Sequence, residues 1–178
     1  YGGSCFPKDV KAMIHMGRET GYPLELIESV DRVNEAQKKI LFQKLEKHFN
    51  KELKGKTIAV WGLSFKPQTD DVRQAPSLVL IDNLLQAGCR VQAYDPVAME
   101  QAQNLLGKSI HYAGDMYQAA NHAHALVLVT EWKEFRMPNW NMLRKIMHTP
   151  LVLDGRNIYN PQEIREQGFE YIGIGLGT

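Results

Sequence analysis

The stretch TIAVWGLSFKPQTDDVRQAPS, residues 57–77, runs from a short apolar segment through a polar loop to a proline placed to open a helix. The apolar opening suits a strand buried on both faces, and Pro76 suits a first helical turn, giving an expected helix over 76–87. RVQAYDP (90–96) follows, then a short strand signal at SIHY (109–112), then ALVLVT (125–130), PLVLDG (150–155) and YIGIG (171–175). Continuous apolar runs alternating with helical stretches predict α/β architecture, a doubly wound parallel sheet with helices on both faces.

A strand, loop, helix and second strand ending in an acid, Asp95, echoes the dinucleotide-binding unit. The echo is incomplete: WGLSFKP carries one glycine where the fingerprint wants three, so the tight pyrophosphate turn is missing. The loop instead offers Phe65, Lys66, Asp70, Asp71 and Arg73 at the carboxyl end of the first strand, where open sheets bind ligands. A modified nucleotide pocket is expected there.

Upstream, the pattern is helical. A first helix is expected over 7–20, closed by Gly21. Leu24, Ile27, Val30, Val33, Ile40, Leu41, Leu45 and Phe49 then recur at helical spacing, with neither proline nor glycine across 24–54. One long helix is predicted, of a length that joins domains or pairs with its copy in a second subunit, ending at Gly55. The basic stretch 38–56 reads as a solvated helix face. The opening GGSCFPKD places Cys5 at a helix N-terminus, where the helix dipole and Lys8 both favour a nucleophilic thiol. A small buried filler is the plainer role for a single cysteine.

A formal net charge of +1, spread along the chain, gives no footprint for nucleic acid or an anionic membrane surface. Two cysteines, Cys5 and Cys89, make neither a disulfide scaffold nor a metal pattern, and no metal is expected. Without a spanning apolar run or a secretory leader, a cytoplasmic location is expected. A beginning at Tyr1, directly on an active-looking motif, predicts a piece of a longer protein.

GGSCFPKD, GLSFKPQTDDVRQAPS and TEWKEF with LDGRNIYNP together resemble the UDP-glucose 6-dehydrogenase family of nucleotide-sugar dehydrogenases, over essentially the whole chain. The resemblance implies a central helical dimerisation region over 1–54 that carries the cysteine motif. It implies a Rossmann-like UDP-sugar-binding domain over 55–178, with the family's NAD-binding domain outside this chain. It further implies NAD-dependent oxidation of UDP-glucose to UDP-glucuronate in two hydride transfers, through a cysteine thiohemiacetal and thioester.

By the same resemblance Cys5 is the nucleophile and Asp9 serves the hydrolytic water or its hydrogen-bond network. Gly2, Phe65, Lys66 and Arg156 face the nucleotide sugar, while Lys8 and Arg73 face the cofactor diphosphate. On local grounds each has a plainer role: Asp9 answers the helix dipole, Lys8 is solvated, Arg73 pairs with Asp71 and Arg156 with Asp154. GDP-mannose and UDP-N-acetylhexosamine dehydrogenases share the plan and stay open as alternatives, as does a dimerising nucleotide-binding module without catalysis. The piece alone is expected to be inactive. Trp61, Trp132 and Trp140 are expected to serve packing.

Overall fold

The computed structural model describes residues 1–176. In chain order the elements are α1 (Phe6–Glu19), α2 (Glu25–Gln37), α3 (Ile40–His48), β1 (Thr57–Trp61), α4 (Pro76–Gln86), β2 (Arg90–Tyr94), α5 (Met99–Leu106) and β3 (His111–Tyr112). They continue with α6 (Met116–Ala120), β4 (Ala125–Leu128), a 3-10 turn (Lys133–Arg136), α7 (Trp140–Ile146), β5 (Leu151–Asp154), α8 (Pro161–Glu166) and β6 (Glu170–Gly173).

The six strands form one parallel sheet in the order β3-β2-β1-β4-β5-β6. Every residue of β1, β4 and β5 is buried, and all but the terminal Thr57 and Asp154 are apolar, whereas β2 and β6 expose some of their positions. Ile58, Val60, Val91, Val127 and Leu153 face one core with α4 and Leu45 of α3. Trp61, Leu126, Leu128 and Val152 face the other, with Phe135, Leu143 and Ile164. The chain reverses its direction of growth between β1 and β4, so loops leaving these two strands diverge and open a crevice at their carboxyl ends. Cys89 is buried between α4 and β2.

The uninterrupted helix expected over 24–54 is not formed. α2 ends at Gln37 and α3 begins at Ile40, and the backbone of Lys38 and Lys39 stays in the right-handed region, so the break is a bend rather than an unravelling. The cause is tertiary. α3 must tip toward the sheet to bury Leu41 and Leu45, and the bend sinks the Lys38 side chain to 3% exposure. Its Nζ donates to Glu35 Oε1 at 2.8 Å and Gln74 Oε1 at 3.1 Å, which offsets the cost of burying an ammonium group. The basic stretch is therefore not one solvated face. α3 stops at His48, and Asn50 and Lys51 take positive φ before Leu53 returns to the core.

Candidate functional site at the carboxyl ends of β1, β4 and β5

The loop between β1 and α4 is shaped from beneath by Asp95, which lies just beyond β2 and is almost wholly buried. Its Oδ2 accepts from the backbone N–H groups of Leu63 (2.7 Å) and Ser64 (3.1 Å), from Ser64 Oγ and from Trp132 Nε1 (3.0 Å). Its Oδ1 accepts from Val97 N and Ala98 N. An acid at the end of a second strand can hold a ribose hydroxyl, but here both oxygens are committed to the protein, and the dinucleotide echo ends there. Gly62 starts the loop at φ +91°, and a Cβ there would lie 2.4 Å from Thr130 Cβ. Thr130 Oγ1 donates to Ser64 O, and Ser77 Oγ to Leu63 O.

The cysteine motif lies on this loop. Gly3 donates its N–H to Arg73 O at 3.0 Å, and at φ +81° a Cβ on it would stand 2.8 Å from the Phe65 ring. A Cβ on Gly2 would meet Gln74 O at 2.9 Å. The glycine pair thus permits a contact that side chains would prevent. Cys5 follows, exposed, as the cap residue of α1 with no side-chain capping bond, and Ser4 Oγ lies 3.6 Å from its Sγ.

Of the residues expected at the site, the fold brings Gly2, Phe65 and Arg156 together. The Arg156 guanidinium donates to Val129 O (2.7 Å) and Phe65 O (3.2 Å), strapping the Phe65 loop to the end of β4, and only its backbone N–H goes to Asp154. Lys66 is exposed, its Nζ 5.4 Å from the centroid of the Phe65 ring. Arg73 makes the two-toothed ion pair with Asp71, Nε to Oδ1 at 2.9 Å and Nη2 to Oδ2 at 3.0 Å. The guanidinium holds the Asp71 carboxyl below the usual carboxylate range and is itself raised by the pairing. Lys8 and Asp9 sit in the exposed first turn of α1, Lys8 Nζ 3.7 Å from Asp9 Oδ1.

Sequence reasoning gave no role to several residues that shape this region. Glu131 Oε2 lies 2.9 Å from Arg156 Nε, and Trp132, expected only to pack, anchors Asp95 through its indole N–H. The TEWKEF motif drew attention to both without saying what they touch. A cavity of about 180 Å³ beside Arg156 is lined also by Tyr1, Asn34, Lys38, Pro76 and Gly155. The two cations at its wall are each paired with a carboxylate, Lys38 with Glu35 and Arg156 with Glu131.

The sheet order, the crevice and the two joined motifs coincide with a known family plan. Residues 59–161 match the UDP-binding domain of the UDP-glucose/GDP-mannose dehydrogenase family, and residues 1–36 match its central domain. The chain belongs to this family. It is 47% identical over 180 residues to a UDP-glucose 6-dehydrogenase of Pseudomonas aeruginosa, covering 98% of the chain and 40% of that protein. It is 42% identical over 175 residues to one of Rhizobium meliloti, with 98% and 40% covered. The solved UDP-glucose dehydrogenase of Pyrobaculum islandicum superposes with a TM-score of 0.86 at 33% identity, covering 99% of the chain and 38% of that structure. The chain spans about 40% of the length of these curated relatives. Within the family plan, the matched UDP-binding segment contains the Phe65 loop and Arg156, and the matched central segment contains Cys5.

Proposed function

We propose that this chain is the central and UDP-binding part of an NAD-dependent UDP-glucose 6-dehydrogenase acting in the cytoplasm, with residues 1–54 for dimerisation and 55–178 for the nucleotide sugar. The observation that carries the reading is the contact of the cysteine motif with the Phe65 loop, Gly3 N–H on Arg73 O at 3.0 Å, which sets a thiol beside the mouth of a nucleotide-type crevice. In this reading Gly2 lets backbone approach the substrate, the Phe65 ring and Lys66 ammonium contact the nucleotide sugar, and Arg156 holds the loop that carries them.

Cys5 Sγ would add to the carbon of the aldehyde formed in the first oxidation, and the carbonyl oxygen would take a proton to give a thiohemiacetal. Oxidation of that adduct gives a thioester, and water attacks it, with Asp9 placed in the first turn to orient the water. The C–S bond then breaks, releasing the carboxylate and regenerating the thiol. Covalent capture prevents escape of the aldehyde.

NAD would serve as hydride acceptor. This sheet does not fit a dinucleotide, because the loop after β1 lacks the glycine turn and Asp95 is fully bonded within the protein. Lys8 and Arg73, both exposed, are the cations proposed to face its diphosphate. The same misfit favours binding without turnover for the chain on its own. α2 exposes Leu26, Val30 and Val33 along one stripe, which supports a homodimer through the helical region.

Calorimetry with UDP on the chain and on Lys66→Ala tests the assignment. UDP should bind more tightly than NAD, and loss of a charge-assisted contact should weaken UDP roughly tenfold to a hundredfold, about 1.5–3 kcal/mol. NAD binding more tightly than UDP, or an unchanged UDP affinity in Lys66→Ala, would overturn it.

A further inference from the structure

The turn that follows β5 is built around a buried acid, as the loop after β1 is built around Asp95. Asp154 ends β5 with no exposed surface, and a carboxylate so placed is costly unless donors meet it. Its Oδ1 accepts the backbone N–H of Arg156 at 2.9 Å, and its Oδ2 accepts the backbone N–H of Tyr159 and the hydroxyl of Tyr171, each at 3.0 Å. The two backbone bonds curl the chain round the carboxylate. The hydroxyl comes from β6. Tyr171 stands opposite Val152 in the register, and Asp154, two residues further along β5, shares the Val152 face, so the tyrosine reaches it along the strand.

The consequence falls on Arg156. With its N–H tied to Asp154, the guanidinium lands on two carbonyls, Nε on Val129 O at 2.7 Å and Nη2 on Phe65 O at 3.2 Å. Asn157, at φ +51°, secures the far side of the turn: its Nδ2 donates to Ile174 O and its Oδ1 accepts the Ile174 N–H, both at 2.9 Å. β6 and the residue after it therefore hold the turn, and Arg156 carries that hold across the end of β4 to the Phe65 loop. An arginine side chain has many rotamers to lose, and a fixed root confines it before its bonds form.

We propose that Asp154 and Tyr171 are positioning residues for Arg156: the carboxylate, steered from β6 by the tyrosine hydroxyl, sets the Arg156 backbone so that its guanidinium holds the Phe65 loop in the shape that receives the nucleotide. The inference deepens the proposed function and rests on its reading of the Phe65 loop as the nucleotide side. Asp154 and Tyr171 are both buried, so their influence reaches a ligand through the arginine.

The test reads Arg156 directly by NMR. In the isotope-labelled chain the Arg156 Nε–H signal, assigned by its loss in Arg156→Lys, should exchange slowly with solvent because Val129 O holds it. Tyr171→Phe keeps the ring and removes one donor, and should speed that exchange about tenfold. UDP affinity by calorimetry, under conditions where the variant is fully folded, should fall about threefold to tenfold. The same change made in Arg156→Lys should alter affinity by less than about twofold, because the route through the arginine is already broken. Asp154→Asn puts an amide donor against the Tyr159 N–H or the Arg156 N–H and should raise the exchange rate further; if it does not fold, Tyr171→Phe decides alone. Parent-like exchange in Tyr171→Phe would overturn the proposal, and so would an affinity loss of equal size with and without the arginine, which would mark a general loosening of the sheet. If the parent chain does not bind UDP, the reading of the nucleotide site falls, and the exchange rates by themselves decide whether Arg156 is positioned in this way.

Discussion

The indole N–H of Trp132 meets Asp95 Oδ2 at 3.0 Å, on the same oxygen that collects the backbone N–H groups of Leu63 and Ser64. A tryptophan after β4 thereby fixes the loop after β1, at the carboxyl ends of two neighbouring strands. Trp132→Phe keeps an aromatic ring and removes one donor to a buried charge. It should cost about 1.5–3 kcal/mol in urea denaturation, with weaker UDP binding as the loop loosens. A loss under about 0.5 kcal/mol would mean that the contact adds nothing beyond packing.

Gly62 and Gly21 both take positive φ, +91° and +72°, but only Gly62 faces a wall. A Cβ at Gly62 would sit 2.4 Å from Thr130 Cβ, and one at Gly21 would meet nothing within 4 Å. Gly21→Ala should cost about 1 kcal/mol from backbone strain alone, and Gly62→Ala at least about 2 kcal/mol more. Equal costs in paired thermal melts would contradict the close approach.

Brief alkylation at neutral pH should label Cys5 and spare Cys89. Burial pushes the Cys89 thiol up, and its Sγ lies 3.4 Å from Leu53 O beneath α4, whereas Cys5 is exposed at the start of α1. Peptide mapping would reveal the opposite outcome directly.

His124 predicts a pH dependence at the other rim of the sheet. Its Nδ1 accepts the Thr57 N–H at 3.1 Å and its ring stacks on His148 at 4.3 Å. Burial first, then the charges of His148, Lys56 and Arg90, press its pKa below the ordinary histidine value. Below about pH 6.5 the unfolded chain therefore binds the proton more readily than the folded one, so stability falls as pH drops through that value. His124→Gln should flatten the fall between about pH 7 and 5 in urea titrations. An unchanged slope would remove His124 as its source.

Light scattering should return the mass of a dimer. Val33, 57% exposed on the α2 stripe with Leu26 and Val30, is the position at which a charge should disrupt it. Val33→Glu should shift the chain toward monomer. A monomeric parent chain at roughly tens of micromolar would leave the stripe without its proposed partner.

The sheet was legible because a parallel strand buried on both faces reads as a continuous apolar run, as 58–61, 125–128 and 151–153 do. The bend at Lys38 was not. Neither glycine nor proline marks it, because it arises from where Leu41 and Leu45 must dock, a demand that helical periodicity does not encode. At the site, GGSCFPKD and FKPQTDDVR marked two segments that the fold brings into contact, and the close approach of Gly3 to Phe65 could be seen only once the chain was folded. Asp95 illustrates the reverse difficulty. Its position invites a ligand role, and only the six donors that converge on it show a scaffold role instead.

Because all six strands point the same way, the turns that enter them gather on the rim opposite the crevice. Gly55 and Gly107 lie on that side with open space around them, and none of the proposed site residues does. The molecule is thus polar in an engineering sense. A fluorophore, affinity handle or surface tether inserted around 107–109 would hold it with the nucleotide crevice facing outward, and binding measured on such a tethered chain should match that in free solution.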